Sequence, residues 1–303
     1  MADSQDESMC AFLKAFPDEA SCLLWVLNVR FGSGVPCQVC GRFVPWSSQG
    51  ASSQYFRHCC RRVYPRSEML AAFTSVPLRI WFLAILIVSN FDGRVSTDFL
   101  ARHLGLGLKV ARRISLRIRL HMTALALKDR PTLAGPVFVD EMQLRAVSNA
   151  KRELDDPVVI FGIANKSEVR LFCVPDRKAT TLSPVIERHV AFGSKVVADG
   201  LASYDSLANV GFQLSRVNHT NAIWRNGEGY TTVRIEQVWK HLRRRIEGVH
   251  VRVSSDTLWT YLGQHMFIIK CRENGLSPFW ESLKAFPNIW EHEEEMRTQI
   301  DLR

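Results

Sequence analysis

The order of segments along the chain predicts an α/β fold, more narrowly α+β, and three observations carry the prediction. A cysteine-rich stretch comes first, a run of helical periodicity follows, and short β-rich segments then alternate with helices. The last part reads β-β-β-α-β-α-β-α from residue 137 onward, the order of a ribonuclease-H-like fold, and order alone carries that inference. Four regions follow: a zinc-ribbon-like N-terminal segment over 1–70, a helical, helix-turn-helix-like region over 71–130, a ribonuclease-H-like domain over 131–275 and an acidic C-terminal tail over 276–303.

Composition narrows the class. With 303 residues the chain has room for about two domains. Hydrophobic residues at 47% and charged ones at 23% disfavour disorder, collagen and coiled coil. The 39 Lys and Arg against 30 Asp and Glu leave a net +9, which favours a polyanionic partner without choosing among DNA, RNA and a membrane surface. Residues Met1–Ser8 are acidic and lack the basic region of a signal peptide. The longest apolar run, Ile80–Val88, falls short of the ~20 residues that span a bilayer. A soluble, unsecreted protein without a membrane partner is expected. Its eight cysteines then suit metal sites or a core better than disulfides.

Six of those eight cysteines lie before residue 70. Cys37-Gln-Val-Cys40-Gly41 has the shape of a zinc knuckle, in which two thiolates on a tight turn reach one tetrahedral ion. The second half of such a site should stand 15–20 residues on, where the sequence reads Arg57-His58-Cys59-Cys60-Arg61. Adjacent Cys59 and Cys60 are awkward ligands for one ion, so the expected zinc set is Cys37, Cys40, Cys60 and either His58 or Cys59. A decayed ribbon without metal is the competing reading.

Beyond Pro77, residues Leu78, Trp81, Phe82, Ile85 and Leu86 make one apolar helical face. After a break at Asn90–Gly93, Ser96 caps a helix over 97–104, Gly105 turns, and a second helix covers 109–122. That helix carries Lys109, Arg112, Arg113, Arg117 and Arg119, with Val110, Ile114 and Ile118 on the opposing face. A solvated helical hairpin would explain the charges. Their coincidence with the turn favours docking on DNA.

Strands are expected at 137–142, 158–163, 169–173, 195–199 and 212–218, and helices at 182–191, 201–208 and 232–247. Three carboxylates fall where this order brings elements together. Asp140 lies within the first strand, and an acid inside an apolar strand is costly unless paired or bound to a cation. Its neighbour Glu141 points to the opposite face, and apolar spacing does not choose between the two. Asp199 closes the fourth strand before Gly200, where it would also suit a simple turn. Glu236 lies on the last helix, where pairing with Lys240 is the ordinary alternative. Together the three would suit hard Mg²⁺ or Mn²⁺, and two such ions about 4 Å apart serve phosphodiester chemistry. Lys240, Arg243 and Arg244 on the same helix suit DNA phosphates. His219 and His250 flank the region and read better as structural residues.

Six ordered blocks then carry a resemblance across about 250 residues. They are Phe16–Cys22 with Arg30-Phe31 and Cys37-x-x-Cys40-Gly41; Val139-Asp140-Glu141; Val197-Ala198-Asp199-Gly200 with Tyr204; Asn218-His219; Ile235-Glu236-x-x-Trp239; and Gly248–Ser254 with Tyr261-Leu262. In these the chain resembles ISXO-like insertion-sequence transposases, relatives of the eukaryotic Merlin transposons. The resemblance implies a zinc ribbon, a DNA-binding helical region and a DDE catalytic domain over 131–275, with Mg²⁺ held by Asp140, Asp199 and Glu236. Transposon-end cleavage and strand transfer follow from it. The implied partners are double-stranded DNA (terminal inverted repeats and target) and further copies of the chain in a synaptic complex. Its place would be the cytoplasm of a bacterium, at the nucleoid, or the nucleus of a eukaryote. Three positions depart from the family pattern: Arg57 stands where a ribbon Cys is expected, Val233 where many relatives carry Asn, and Arg243 where Lys is usual. A DNA-binding derivative with an idle site, and a ribonuclease-H-like nuclease unrelated to transposition, are the alternatives. The acidic run Glu291–Glu295 is expected only to solubilise the C-terminus.

Overall fold

The computed structural model describes residues 8–37, 39–46, 56–57, 59–60, 62–63, 75–145, 157–217, 226–250, 253–286 and 293–303. The chain divides into two units, Met1–Leu125 with Gly275–Glu291, and Ala126–Asn274 with His292–Arg303.

Two helices open the first unit. The first, α1 (Met9–Ala15), starts where the Ser8 hydroxyl accepts from the Ala11 N–H. The second, α2 (Glu19–Phe31), starts with a reciprocal capping box between Asp18 and Ser21. Such side-chain oxygens satisfy N–H groups that a helix start leaves orphaned. Reading the first 70 residues for cysteine spacing alone passed over both helices. Two short hairpins follow: β1 (Gly34–Pro36) with β2 (Phe43–Pro45), and β3 (Phe56–Arg57) with β4 (Arg62–Val63). Helix α3 (Leu78–Asn90) begins after Pro77, and the Glu19 carboxylate accepts from the N–H groups of Leu78 and Arg79 at 2.7 and 2.9 Å. Helix α4 (Thr97–Leu104) starts at Ser96 and ends at Gly105, whose φ of 63° is the left-handed conformation that glycine adopts freely. Helix α5 (Leu108–Leu127) runs five residues past the expected end.

The second unit is built on one mixed sheet. Strands β5 (Val137–Leu144), β6 (Val158–Ala164) and β7 (Val169–Val174) form an antiparallel meander. Helix α6 (Ala179–His189) leads to β8 (Lys195–Ala198), which lies parallel to β5. A 3₁₀ turn over Ala202–Val210 leads to β9 (Gln213–Arg216), parallel to β8. The order across the sheet is β7-β6-β5-β8-β9. Helix α7 (Val233–Arg245) ends in a π turn, Ile246–His250, and α8 (Leu258–Glu273) follows. One face of the sheet buries Val137, Val139, Phe161, Ile163, Phe172, Val196 and Ala198 against Leu182 and Ile186 of α6 and Tyr204 and Leu207 of the 3₁₀ turn. Ile235 and Trp239 of α7 lie on the opposite face, against Gly162.

Residues 276–303 depart from the expected acidic tail. Helix α9 (Pro278–Lys284) lies in the aromatic core of the first unit, where Trp280 meets Trp25 at 5.3 Å and Phe286 meets Phe82 at 5.1 Å. Helix α10 (Glu293–Thr298) leads back to the second unit, where Cys173 of β7 donates to the Ile300 carbonyl and accepts from the Leu302 N–H. Buried apolar residues at Phe279, Trp280, Leu283 and Ile300 hold these segments down, and the acids between them masked that pattern.

Candidate active site

Alternation along β5 separates its two acids. Glu141 shares a side with Val137 and Val139, while Asp140 faces α7. On its own side Glu141 accepts a short hydrogen bond from the buried Tyr204 hydroxyl. Desolvation, opposed by that bond, pushes Glu141 up to about 7, with Asp140 and Asp199 adding to the rise. Desolvation and the adjacent Glu141 likewise push the Tyr204 hydroxyl up, so it stays a donor.

Asp140 pairs across the ladder with Gly162. A Cβ at that glycine would stand 2.5 Å from the Trp239 ring, and glycine inside a strand commonly marks such a close approach. The bare backbone lets the indole lie over the sheet and donate from Nε1 to Asp140 Oδ2 at 2.8 Å. Burial pushes Asp140 above the usual carboxylate range. The Trp239 and Glu141 N–H groups oppose the shift, and Asp199 and Glu236 reinforce it.

The parallel register places Val137 beside Val196 and Phe138 beside Val197. Continued two residues, it brings Asp199 level with Asp140 and on the same side of the sheet. Asp199 also makes the turn expected of it, accepting from Leu201 N–H at 2.9 Å. Glu236 lies in the first turn of α7 and accepts from the Thr232 hydroxyl at 2.5 Å. Trp239 lies over Asp140 and Arg243 Nε reaches Met142 Sδ, so α7 runs alongside β5 in the same direction. Glu236 therefore stands one turn before the indole that holds Asp140. The ligand oxygens of Asp140, Asp199 and Glu236 do not all fall within 4.8 Å of one another; among the described residues only a cysteine group does. Hard oxygen donors on one face, with Asp140 held above the usual carboxylate range by burial and by the nearby acids Asp199 and Glu236, fit a divalent cation, whose charge would relieve that cost.

Residues 132–269 match the family model of the ISXO2-like transposase domain. This segment is an ISXO2-like transposase domain. It spans β5 through most of α8 and includes all three carboxylates. Among curated proteins, none matches the chain. Among the described residues, no helix is long and apolar enough to cross a membrane.

Outside the ISXO2-like domain, the thiols of Cys37, Cys40, Cys59 and Cys60 lie within 4.8 Å of one another. Cys37 and Cys40 occupy the turn between β1 and β2, which Gly41 closes through its N–H on the Cys37 carbonyl at 2.7 Å. Cys59 and Cys60 occupy the turn between β3 and β4, and Cys59 Sγ is 3.5 Å from Cys40 Sγ. Both neighbouring thiols thus reach one point, the arrangement expected to be awkward, and the cluster is the expected set with Cys59 in the fourth position. His58, the other candidate for the fourth position, lies outside the described residues, as do His219 and the side chain of His250. Desolvation and hydrogen bonding with the other three thiols push Cys59 up to about 12. Four sulfur donors from two turns are a set that tetrahedral zinc takes.

The cations on helices are not all alike. Lys109, Arg112 and Arg113 of α5 are exposed and Arg117 is partly so. Arg119, expected on the same surface, is 9% exposed and donates to Ser115 Oγ at 2.8 Å, which removes it from any DNA-facing role. It sits one position beyond the buried Ile118, on the flank of the apolar face. On α7, Lys240, Arg243 and Arg244 are exposed and Arg245 is buried. Trp239 and Gly162 escaped the sequence reading as site residues. Their signals were a tryptophan one turn beyond Glu236 and a glycine in an otherwise apolar strand.

Proposed function

We propose that this chain is a DNA transposase that cleaves transposon ends and joins them to target DNA. The family of residues 132–269 supports transposase function. The register that sets Asp140 level with Asp199, with Glu236 on the helix beside them, is the observation that carries the finer reading. The sheet order, an antiparallel meander extended beyond β5 by two parallel strands, supports a ribonuclease-H-like frame. Asp140, Asp199 and Glu236 would hold Mg²⁺ or Mn²⁺, which when bound supplies activation of a water or 3′-hydroxyl and stabilisation of the leaving oxygen. Trp239 orients the Asp140 carboxylate, and exposed Lys240, Arg243 and Arg244 along α7 meet DNA phosphates. The α4–Gly105–α5 hairpin, a helix-turn-helix in this reading, presents Lys109, Arg112, Arg113 and Arg117 to the duplex. The four thiols would hold Zn²⁺. Further copies of the chain would join the two ends in a synaptic complex, at the bacterial nucleoid or in a nucleus.

The test incubates purified protein with its flanking inverted repeats, target DNA and Mg²⁺. Strand transfer is expected, and Asp199→Ala should lower it by about 10³-fold or more with end binding retained. A second reading, a DNA-binding derivative with an idle site, draws on the carboxylates standing wider than 4.8 Å and on Trp239 occupying one Asp140 oxygen. Specific end binding without cleavage would establish that second reading.

A further inference from the structure

We propose that the second unit carries a pocket for a small organic phosphomonoester, on the sheet face away from Asp140, with Arg130, Arg170 and Arg188 around the phosphate. A cavity of about 380 Å³ lies there, walled by those three arginines and His189. Arg170 is on β7 in step with Phe172 and Val174, whose side of the sheet is covered by α6. Asp140 faces α7 on the other side, so the pocket is separate from the carboxylate site.

Charge is the first argument. Arg170 has a partner, with Nε 3.0 Å from Glu168 Oε1. Arg130 donates from Nε to the Ala126 carbonyl and from Nη2 to the Met266 sulfur, neither of which carries charge. Among the described residues, neither Arg130 nor Arg188 forms an ion pair. Burial, with Arg170 nearby, pulls Arg130 down to about 10 against the opposing pull of Glu168, so it remains a cation at neutral pH. The Glu168 carboxylate, already paired with Arg170, thus faces two guanidiniums, and a dianion would balance the charge left over together with that of the exposed Arg188. His189 adds a neutral donor. Its Nδ1 lies 3.2 Å from Arg170 Nη1 and must accept, which leaves the proton on Nε2. Burial and the neighbouring arginines hold this ring down to about 4, so it is uncharged near pH 7.

Size and wall chemistry are the second argument. The cavity exceeds what a bare phosphate fills. Leu127, Pro184, Val185 and Leu302 give it an apolar side, suited to an organic body. Thr298 and Gln299 of the C-terminal segment complete the rim, so a ligand would also hold that segment against the sheet.

Isothermal titration of the full chain at fixed ionic strength, with phenyl phosphate, inorganic phosphate and benzoate as probes, tests this. Phenyl phosphate should bind saturably and more tightly than either of the others. Arg188→Gln, on an exposed position of α6, should weaken it by roughly tenfold or more without lowering the melting temperature of the free protein. Lys166→Gln, on the turn between β6 and β7, should leave it unchanged. Equal binding by wild type and Arg188→Gln, or no saturation by ~10 mM, would overturn the site. Equal affinity for inorganic and phenyl phosphate would overturn the organic ligand. Displacement by duplex DNA, with Arg188→Gln weakening DNA binding by the same factor, would reassign these arginines to the DNA surface and overturn the proposal.

Discussion

Asp140 stands on an eight-residue strand paired on both sides, whereas the four clustered thiols hang from strands of two or three residues. The sheet beneath Asp140 has a buried core of its own, from Val139 to Phe161 and Tyr204. The carboxylate site is thus framed by packing that does not depend on a metal. A two-stranded hairpin by itself is marginal in water, and β1–β2 and β3–β4 meet at their cysteine turns. Zinc at that point would be a structural cross-link, since binding free energy there is folding free energy.

The largest effect should therefore come from removing zinc. A strong zinc chelator added to the purified protein should raise amide exchange in β1–β4 by on the order of 10²-fold or more, leaving β5–β7 protected. Unchanged exchange in the hairpins would show that they do not rely on a metal, and the contrast between the sites would collapse.

The next effect bears on the carboxylate side. Trp239→Phe keeps most of the apolar contact but removes the donor to Asp140. Outer partners of metal ligands are typically worth about 10–100-fold in metal affinity, so the variant should need that much more Mn²⁺ for half-maximal strand transfer. Saturating Mn²⁺ should restore the rate. Loss that no Mn²⁺ concentration rescues would mean that the indole supports the fold and not the ligand. A Cys40→Ser variant, by contrast, should leave the Mn²⁺ requirement unchanged.

These residues also mark how far the sequence could be read. The strands of the meander and the Ser96–Gly105 helix were legible because apolar alternation and capping are local signals. Asp140 was preferred to Glu141 on the overall pattern, because neighbours on a strand differ only in face and local spacing does not say which face meets what; that is set by what packs there. Arg119 was misplaced for a similar reason. A basic helix fixes which residues are charged, but burial of the flank depends on its neighbours. The Cys59–Cys60 turn and the docking of α9 and of the Ile300–Leu302 segment were hidden because they rest on contacts between distant parts of the chain.

Gly162→Ala should have a smaller effect. The added methyl would meet the Trp239 ring at 2.5 and 2.7 Å and Ile235 Cδ1 at 2.9 Å. Overpacking of this kind costs about 1–3 kcal/mol, visible as a lower denaturation midpoint. Because the smaller phenyl ring would relieve the clash, Gly162→Ala and Trp239→Phe should be less than additive in combination. Simple additivity would show that the glycine and the indole do not share the space.

The smallest effect returns to the first unit. His121 is 2% exposed, and its Nε2 lies 2.9 Å from the Ser282 carbonyl, so that nitrogen carries the proton. Burial pushes its pKa below 6.5, and the carbonyl only partly opposes the shift. The unfolded chain takes up a proton near 6.5 while the folded unit resists it, so stability is full above that value and falls as the pH drops below it. One such group contributes at most about 1.4 kcal/mol per pH unit. In the second unit, His189 and His265 act in the same direction, but the raised Asp140, Glu141 and Glu273 act in the opposite one. Folded carboxylates with raised values gain protons before unfolded ones, so acidification stabilises them. Protection of α5 and α9 amides, corrected for the slower intrinsic exchange at lower pH, should therefore fall between pH 6.5 and 5 more than that of β5–β7, and His121→Gln should flatten the first slope alone. An unaltered slope in that variant would mean that the acid sensitivity of the first unit lies elsewhere than in the His121–Ser282 contact.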